Sequence, residues 1–382
     1  MRTIGEQEKL HLWLQYATEA SVRLSHQIRL NWPDLGEAWA LAKARRAAAF
    51  EALPEACRER LFQAADEGFM AKRIDWLAEH NVELYMPMHE DYPALLREIH
   101  DAPDVLFVRG RLEKDMNLPI ALIGARAATD YGKSVARTFG RAFAEAGAVV
   151  VSGLASGVDA YAARGALDCA EADYPTIAVL GSGIDVIYPP ENARLYAEIS
   201  ERGAVLTEFL PGAEPKREHF PVRNRIISGL SRGVVVVEAA WRSGTSITAG
   251  LAHDQGREVF AVPGRITDSM SAGTNRLIGA GEAKPVFSAA EVLAEFDYLS
   301  EYDSFYAGVQ RVPLSGLSEE EAAVYRVLKG GEKTIDELCE LLPYPAGQIN
   351  SVLTAMQFSG IMKQLPGRLY MLDTTRTLVC ED

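Results

Sequence analysis

The chain has 382 residues, of which 48% are hydrophobic and 24% charged. This ordinary globular composition excludes a disordered chain, a collagen-like fibre or a disulfide scaffold. Its 39 basic and 53 acidic residues give a net charge of −14, which argues against broad non-specific adhesion to nucleic acid but permits a local basic groove.

The first segment, residues 1–82, predicts a small helical domain. Apolar residues recur there at helical spacing, at Leu10, Trp13, Leu14 and Ala17. Asp34 is placed to cap a helix over 35–50, and Pro54 lies near the start of the next helix. No apolar h-region of a signal peptide precedes these helices, and no run is long enough to span a membrane. We therefore expect a cytoplasmic protein without membrane contact.

The second segment, residues 83–298, alternates β-branched apolar runs with helical patterns. The predicted strands are 120–123, 149–151, 176–180, 204–207, 234–237 and 258–262. The predicted helices are 132–146, 159–170, 191–202, 223–231 and 245–255. Continuous apolar strands separated by helices indicate a doubly wound, Rossmann-like α/β fold with a parallel sheet covered on both faces.

The third segment follows a polar connector at 299–314. Three short helices, 318–328, 334–342 and 346–359, precede a hairpin whose strands 361–365 and 369–372 are joined at Pro366-Gly367. Three helices and a two-stranded wing outline a winged-helix domain over residues 315–375.

Glycine-rich turns follow most of the predicted strands. They contain Gly124, then Gly153 to Gly157, Gly181 to Gly183, Ser243-Gly244-Thr245 and Gly264. Single turns of this kind are ordinary tight connections. Several at one sheet edge favour a phosphate cradle, because the backbone can approach a ligand closely and helix N-termini bind oxyanions.

Other ligand chemistries find little support in the residues. The first turn contains Arg126 instead of completing Gly-x-Gly-x-x-Gly, and a Walker A loop is absent, so no nicotinamide, flavin or ATP cofactor is expected. The four cysteines form no Cys-x-x-Cys pair, so no metal is expected. Catalytic spacings do not recur, and Asp159, Glu208 and Glu238 suit caps and buried hydrogen bonds better than catalysis.

The most basic local run surrounds Phe220. Residues 213–232 contain five basic and two acidic residues, the basic ones being Lys216, Arg217, Arg223, Arg225 and Arg232. Cations beside an exposed aromatic ring suit a single nucleic-acid strand, since phosphates bind the cations and bases stack on the ring. A solvated loop with Phe220 packed beneath it and its arginines paired to acids is an equally open interpretation.

Short motifs recur along the second segment. They are YPALL at 92–96, VLFVRG at 105–110, IGAR at 123–126, YG at 131–132, VSGLASGVD at 151–159, IAVLGSG at 177–183, YP at 188–189, FPVRNRII at 220–227, SGTSIT at 243–248, VPG at 262–264 and GTNRLI at 273–278. In order and spacing, these motifs resemble those of the DNA-processing protein A (DprA, or Smf) family over about 200 residues. The resemblance implies an extended Rossmann core between an N-terminal SAM-like helical domain and a C-terminal winged helix.

The same resemblance implies a function without enzymatic activity. The family binds single-stranded DNA, protects incoming strands and loads RecA recombinase on them in natural transformation, working as a homodimer. Carried onto this chain, the implied DNA-binding residues are Gly124, Arg126, Gly153, Ser156, Gly157, Gly181, Ser182, Gly183, Lys216, Arg217, Phe220, Arg223, Asn224, Arg225, Ser243, Gly244 and Thr245. We expect the dimer surface near Leu277, Ile278 and Val286.

Two departures and one alternative accompany the resemblance. Ala163 stands where the family usually has a histidine, and Thr207-Glu208 replaces Ser-Glu. The alternative is a LOG-type nucleoside-monophosphate phosphoribohydrolase. In that group glutamates closely follow Gly-Thr, whereas here Gly244-Thr245 is followed by Ser-Ile-Thr, without the carboxylate that would act as general acid or base.

Overall fold

A computed structural model of the protein describes residues 4–241, 243–296, 310–373 and 377–380. Its contacts divide the chain into two compact units, Met1–Phe296 and Asp297–Asp382. The predicted boundary at 82/83 lies inside the first unit. Of the predicted connector at 299–314, residues 299–309 lie outside the described residues.

The first unit begins with α1 (Glu6–Thr18), α2 (Val22–Asn31), α3 (Leu35–Lys43), α4 (Glu55–Ala64) and α5 (Glu67–Glu79). The predicted apolar face of α1 is buried. Asp34 caps α3 by accepting a hydrogen bond from the Gly36 amide, as predicted. The helix nevertheless ends at Lys43 and does not reach residue 50, because Arg45 adopts a left-handed φ of 50°.

A nine-stranded sheet forms the centre of this unit. The strands are β1 (Glu83–Tyr85), β2 (Leu106–Gly110), β3 (Pro119–Ile123), β4 (Val149–Ser152), β5 (Thr176–Val179), β6 (Ala204–Thr207), β7 (Gly233–Val236), β8 (Glu258–Ala261) and β9 (Lys284–Pro285), in the spatial order β1-β2-β6-β5-β4-β3-β7-β8-β9. Strands β3 to β9 are parallel, which confirms the predicted α/β class with a large parallel sheet.

Three of these strands, β1, β2 and β9, were not predicted. β2 pairs antiparallel with β6, and β1 pairs antiparallel with β2, so the sheet is mixed at this edge. The helices of the sheet region are α6 (Ala94–Arg97), α7 (Asp130–Glu145), α8 (Val158–Leu167), α9 (Ala193–Arg202), α10 (His219–Gly229), α11 (Gly244–Asp254), α12 (Ala272–Gly279) and α13 (Ala289–Glu295). The predicted start of α10 at Arg223 is wrong by four residues, since the helix begins at His219.

The order of the strands positions the site. The chain winds outward from β3 to β6 on one side and from β7 to β9 on the other. Ile123 at the end of β3 is in register with Val236 at the end of β7. The loops after these two strands therefore leave the sheet side by side, at the switch point where doubly wound sheets bind ligands.

The second unit contains the predicted helices and hairpin. They are α14 (Glu319–Leu328), α15 (Ile335–Leu341), α16 (Ala346–Phe358), β12 (Met362–Leu365) and β13 (Leu369–Leu372), with β11 (Lys333–Thr334) added to the hairpin and β10 (Gln310–Pro313) paired with β14 (Thr377–Cys380). Ser318 and Thr334 each form a capping box with the glutamate three residues later. The apolar faces of the three helices and the hairpin share one core.

A polar network joins the first helices to the sheet region. Arg29 of α2 forms a 2.7 Å ion pair with Asp104, and its guanidinium also lies 2.9 Å from His11 Nδ1. Burial, reinforced by the charge of Arg29, lowers the pKa of His11 to about 4. His11 is therefore neutral in the folded protein at neutral pH.

Protonation of His11 should destabilise the fold. The unfolded chain binds this proton with a pKa near 6.5 and the folded chain near 4, so stability is lost as the pH falls from about 6.5 towards 4. Between about pH 7.5 and pH 5 we expect the wild type to lose about 2 kcal/mol more stability than a His11→Gln variant. Urea unfolding at each pH measures this, with exposed His26→Gln as the control. Parallel losses in wild type and His11→Gln would contradict it.

Candidate nucleic-acid interface

A cleft lies at the carboxyl ends of β3, β4, β5 and β7, closed by the N-termini of α10 and α11. Its main depression has a volume of about 250 Å³ and adjoins a smaller one that shares Arg126, Ala155 and Phe220. We call the two together the strand-end cleft. The predicted residues that line it are Gly124, Arg126, Gly153, Ser156, Gly181, Ser182, Phe220, Arg223, Asn224, Ser243, Gly244 and Thr245.

Phe220 presents a half-buried ring at the centre of this cleft. One side of the ring lies against Gly181, where an added Cβ would come within 2.8 Å of Cδ1. The exposed Arg126 guanidinium lies 4.6 Å from the ring centroid, and the Tyr188 ring lies 5.9 Å away. Arg126 makes no ion pair with a described residue, so its charge is available to an anion.

Arg223 lies beneath this surface and is buried. Its Nη1 donates to the carbonyl of Gly153, at 2.9 Å, and to that of Val179. A Cβ on Gly153 would come within 2.6 Å of the guanidinium, so only glycine leaves room for the side chain. Burial lowers the pKa of Arg223 to about 10, against the opposing charge of Asp159. The residue stays charged and contributes positive potential from below.

Two acidic side chains near the cleft are committed to structural bonds. Asp159 accepts a 2.9 Å hydrogen bond from the Gly153 amide, and burial raises its pKa above the ordinary value, against the charge of Arg223. Glu238 accepts from both the amide and the hydroxyl of Thr129, the residue that caps α7. This is the structural role that the sequence favoured for both acids.

Only some of the backbone amides that were predicted to bind phosphate are free to do so. The Gly153 amide donates to Asp159 and the Gly183 amide to the Ala213 carbonyl, so neither can bind a phosphate. The N-terminal amide of Gly244 has no acceptor among the described residues, and the buried hydroxyls of Ser243 and Ser246 have no partner there either. An oxyanion at the N-terminus of α11 would satisfy these groups.

The remaining predicted residues lie outside the cleft lining. Lys216 and Arg217 are exposed on the loop before α10 and form no ion pair with a described residue. Gly157, with φ of 78°, supports the Ala125–Arg126 backbone from behind, and Gly183 packs against residues 210–213. These two glycines therefore shape the turns around the strand-end cleft without lining it.

Arg225 requires a correction. Its Nη1 and Nη2 donate to the two carboxylate oxygens of Glu208 at 2.8 and 2.6 Å, and its Nε lies 3.0 Å from Asp101. Both Arg225 and Glu208 are buried. The Arg225 guanidinium therefore forms a buried ion pair in the core. It does not line the strand-end cleft, although Arg225 is only two residues from Arg223.

The predicted dimer residues also require a correction. Leu277 and Val286 are buried within this chain, so neither can form a surface, whereas Ile278 is half-buried. Nearby, Ile266 is 95% exposed and Phe287 is 73% exposed. Periodicity did not separate these positions, because short apolar segments late in a sheet look alike in sequence whether they face inward or outward.

Tyr188 is a cleft residue to which the sequence pattern assigns no role, although Tyr188-Pro189 is one of the family-like motifs. In the structure the ring is 41% exposed beside Phe220 and lines the smaller depression. The signal in the sequence is an aromatic residue shortly after the glycine-rich turn Gly181-Ser182-Gly183.

Metal-binding clusters and membrane spans are absent from the described part of the chain. Among these residues no group of three or more His, Cys, Asp or Glu side chains is arranged to hold a metal ion. No helix in the described ranges has the length and apolar character needed to cross a bilayer.

Comparison with known proteins finds one family. The profile of DNA recombination-mediator protein A matches residues 83–297. The DNA processing protein DprA of Streptococcus pneumoniae is 42% identical over 246 residues, which cover 64% of this chain and 83% of that protein. Protein Smf of Synechocystis is 32% identical over 375 residues, covering 85% and 93%.

Two solved structures are also similar. The X-ray structure of DprA from Streptococcus pneumoniae superposes with a TM-score of 0.62 at 37% identity, covering 77% of this chain and 99% of that one. The structure of DNA processing protein A from Helicobacter pylori, described for its single-stranded DNA binding mode, gives a TM-score of 0.50 at 31% identity, covering 56% and 95%.

Proposed function

Because this chain belongs to the DNA recombination-mediator protein A family, we propose that it binds single-stranded DNA across the strand-end cleft. The observation that carries the proposal is the Arg126 guanidinium stacked at 4.6 Å on the half-buried Phe220 ring, without an ion pair to a described residue. The guanidinium offers a charge to a phosphate, and its plane, backed by the ring, offers a flat surface on which a base can stack.

The surrounding groups extend this match. Lys216 and Arg217 continue the positive surface away from Phe220, and Arg223 adds a buried positive charge beneath it. The free amide of Gly244 and the Ser243 hydroxyl are placed for a second phosphate. Stacking on Phe220 and Tyr188 needs an accessible base face, which a duplex does not offer, so the cleft favours single strands.

We propose by the same family relationship that the bound strand is protected and passed to a RecA recombinase during natural transformation. The chain would act there as a carrier and mediator, without an enzymatic step. The acids near the cleft support this, since Asp159 and Glu238 are buried and already bonded to backbone or hydroxyl donors. A LOG-type hydrolase would need a carboxylate open to substrate.

Charge reversal in the cleft should weaken single-strand binding. We expect Arg126→Glu, and separately the pair Lys216→Glu with Arg217→Glu, to lower affinity for a labelled oligonucleotide at least tenfold in a mobility-shift titration. Removing one phosphate-binding cation should reduce the slope of log affinity against log salt by about 0.7.

Arg141→Glu is the matched control for that measurement. Arg141 is an exposed cation on the C-terminal half of α7, away from the strand ends, and its surface pair with Glu145 contributes little to stability. Wild-type affinity in a folded Arg126→Glu protein, or an equal loss in Arg141→Glu, would reject the cleft as the binding site.

We further propose a homodimer formed through the sheet edge at β9. The exposed Phe287 and Ile266 replace the predicted Leu277 and Val286 as its apolar contacts. Light scattering should give twice the 41.8 kDa chain mass for the wild type and about the monomer mass for Phe287→Glu. A wild-type protein of monomer mass at micromolar concentration would contradict the proposal.

The C-terminal unit is proposed to be a winged helix that serves protein contacts or regulation. Residues 315–382 contain six basic and ten acidic residues, and α16, the helix in the position of a recognition helix, has no Lys or Arg. It therefore lacks the phosphate-neutralising charge on which DNA affinity depends. Phe358 at its end is 91% exposed.

Removing this unit should leave DNA binding almost unchanged. For a chain truncated from about Ser315, we expect single-strand affinity within about threefold of the full-length value at equal salt, because the cations of the cleft are all retained. Affinity is measured after light scattering and circular dichroism confirm a folded truncation. A loss well beyond threefold would assign DNA contacts to the C-terminal unit.

A further inference from the structure

A second cleft lies between the N-terminal helices and the loop that follows β6. Its volume is about 350 Å³, and Tyr16 of α1, Arg60 of α4 and Phe69, Arg73 and Trp76 of α5 line one wall. Residues 210–212 and Asp185 line the other. This cleft played no part in the sequence predictions, and none of its lining residues belongs to the strand-end cleft.

The side chains of this second cleft repeat the central arrangement of the first. The exposed Arg73 guanidinium lies 4.6 Å from the Phe69 ring centroid, the distance at which Arg126 lies from Phe220. Tyr16 lies edge-on to Phe69, at 5.7 Å and an interplanar angle of 89°, whereas Tyr188 is tilted against Phe220 at 5.9 Å and 40°. The two clefts thus share an arginine over a phenylalanine ring, with a tyrosine beside it in a different orientation.

The charges of the second cleft leave Arg73 available. Glu19 lies 3.3 Å from Arg60, and Asp185 accepts a 2.7 Å hydrogen bond from the Gly212 amide. Arg73 makes no ion pair with a described residue. Burial raises the pKa of Tyr16 to about 12, so its hydroxyl stays protonated and can donate to an acceptor. The open space is therefore lined by one cation without an ion pair, one donor, apolar rings and the carboxylate of Asp185, which is held by the Gly212 amide.

A single loop connects the two clefts. Residues 210–212 line the second cleft, and the same loop continues through Lys216 and Arg217 to Phe220 in the first. Its turn is held against the first cleft, since the Gly183 amide donates to the Ala213 carbonyl at 2.9 Å. The backbone from Gly212 to Phe220 spans at most roughly 28 Å. A strand following the exposed cations of this loop would reach the second cleft.

We propose that the second cleft binds a further nucleotide of the single strand held by the strand-end cleft, with its base on the Phe69 and Tyr16 rings and its phosphate on Arg73. This inference rests on the proposed function, because it continues the same strand. It assigns the N-terminal helices a direct role in DNA binding and gives the protein two stacking sites joined by the loop that carries Lys216 and Arg217.

Two variants on α5 isolate the contribution of this cleft. Arg73→Glu removes the cation over Phe69, whereas Lys72→Glu makes the same charge change at the neighbouring exposed residue, which does not line the cleft. Phe69→Leu keeps an apolar side chain for packing but removes the ring. Thermal unfolding of each full-length variant verifies that it is folded.

Affinity is measured with oligothymidylates of two lengths. With about 20 nucleotides, Arg73→Glu and Phe69→Leu should each weaken binding about tenfold, while Lys72→Glu changes it less than about twofold. With about 3 nucleotides, too short to reach from one cleft to the other, no α5 variant should differ from wild type. Photocrosslinking of the longer strand, substituted with 5-iodouracil, should label Tyr16, Phe69 or Trp76.

The outcomes separate this inference from the proposed function. If Arg73→Glu and Lys72→Glu change the affinity for the longer strand equally, while Arg126→Glu still weakens it, the second cleft is not a nucleotide site. The proposal for the strand-end cleft would then stand alone. No effect of Arg126→Glu on either length would overturn the proposed function itself. Free 5-iodo-deoxyuridine monophosphate serves as a further control. If it labels the second cleft as efficiently as the strand does, the cleft is a mononucleotide site and the inference is overturned.

Discussion

The buried guanidinium of Arg223 determines how the strand ends and α10 fit together. Its hydrogen bonds to the carbonyls of Gly153 and Val179 join the helix to the ends of β4 and β5. A buried charge is costly unless its donors are satisfied, so this side chain strongly restricts where α10 can begin. That position places the Phe220 ring against Gly181 and beneath Arg126.

The central strands were predictable because β3 to β8 are covered on both faces. Such strands are continuous apolar runs that few other elements resemble, and their carboxyl ends had to meet at one edge. β1 and β2 were not predictable in the same way. β1 has only three residues. β2 is as long as β3, but its burial decreases towards Arg109 and Gly110, so it does not form a run that is apolar to its end.

The sequence predicts which loops border the candidate site, but it does not predict which of the arginines there are exposed and which are buried. Sequence placed Arg223 and Arg225 in one basic run, yet each is buried, one bonded to carbonyls and the other to Glu208. The partners lie far away in sequence, and local composition carries no information about such long-range bonds. The exposed Arg126, by contrast, lies in a turn that few elements cover, and there its predicted position in the cleft agrees with the structure.

The distribution of charge also bears on how an acidic chain would carry out the proposed binding of a polyanion. With a net charge of −14, long-range attraction to DNA is weak or absent, so affinity must come from short-range contacts. In the strand-end cleft the cations are few, but each is presented beside a ring. Stacking depends little on salt and requires an unpaired base. Under the proposed function, the acidic surface would suppress non-specific binding to duplex DNA, while the ring and cation together would provide affinity for a single strand.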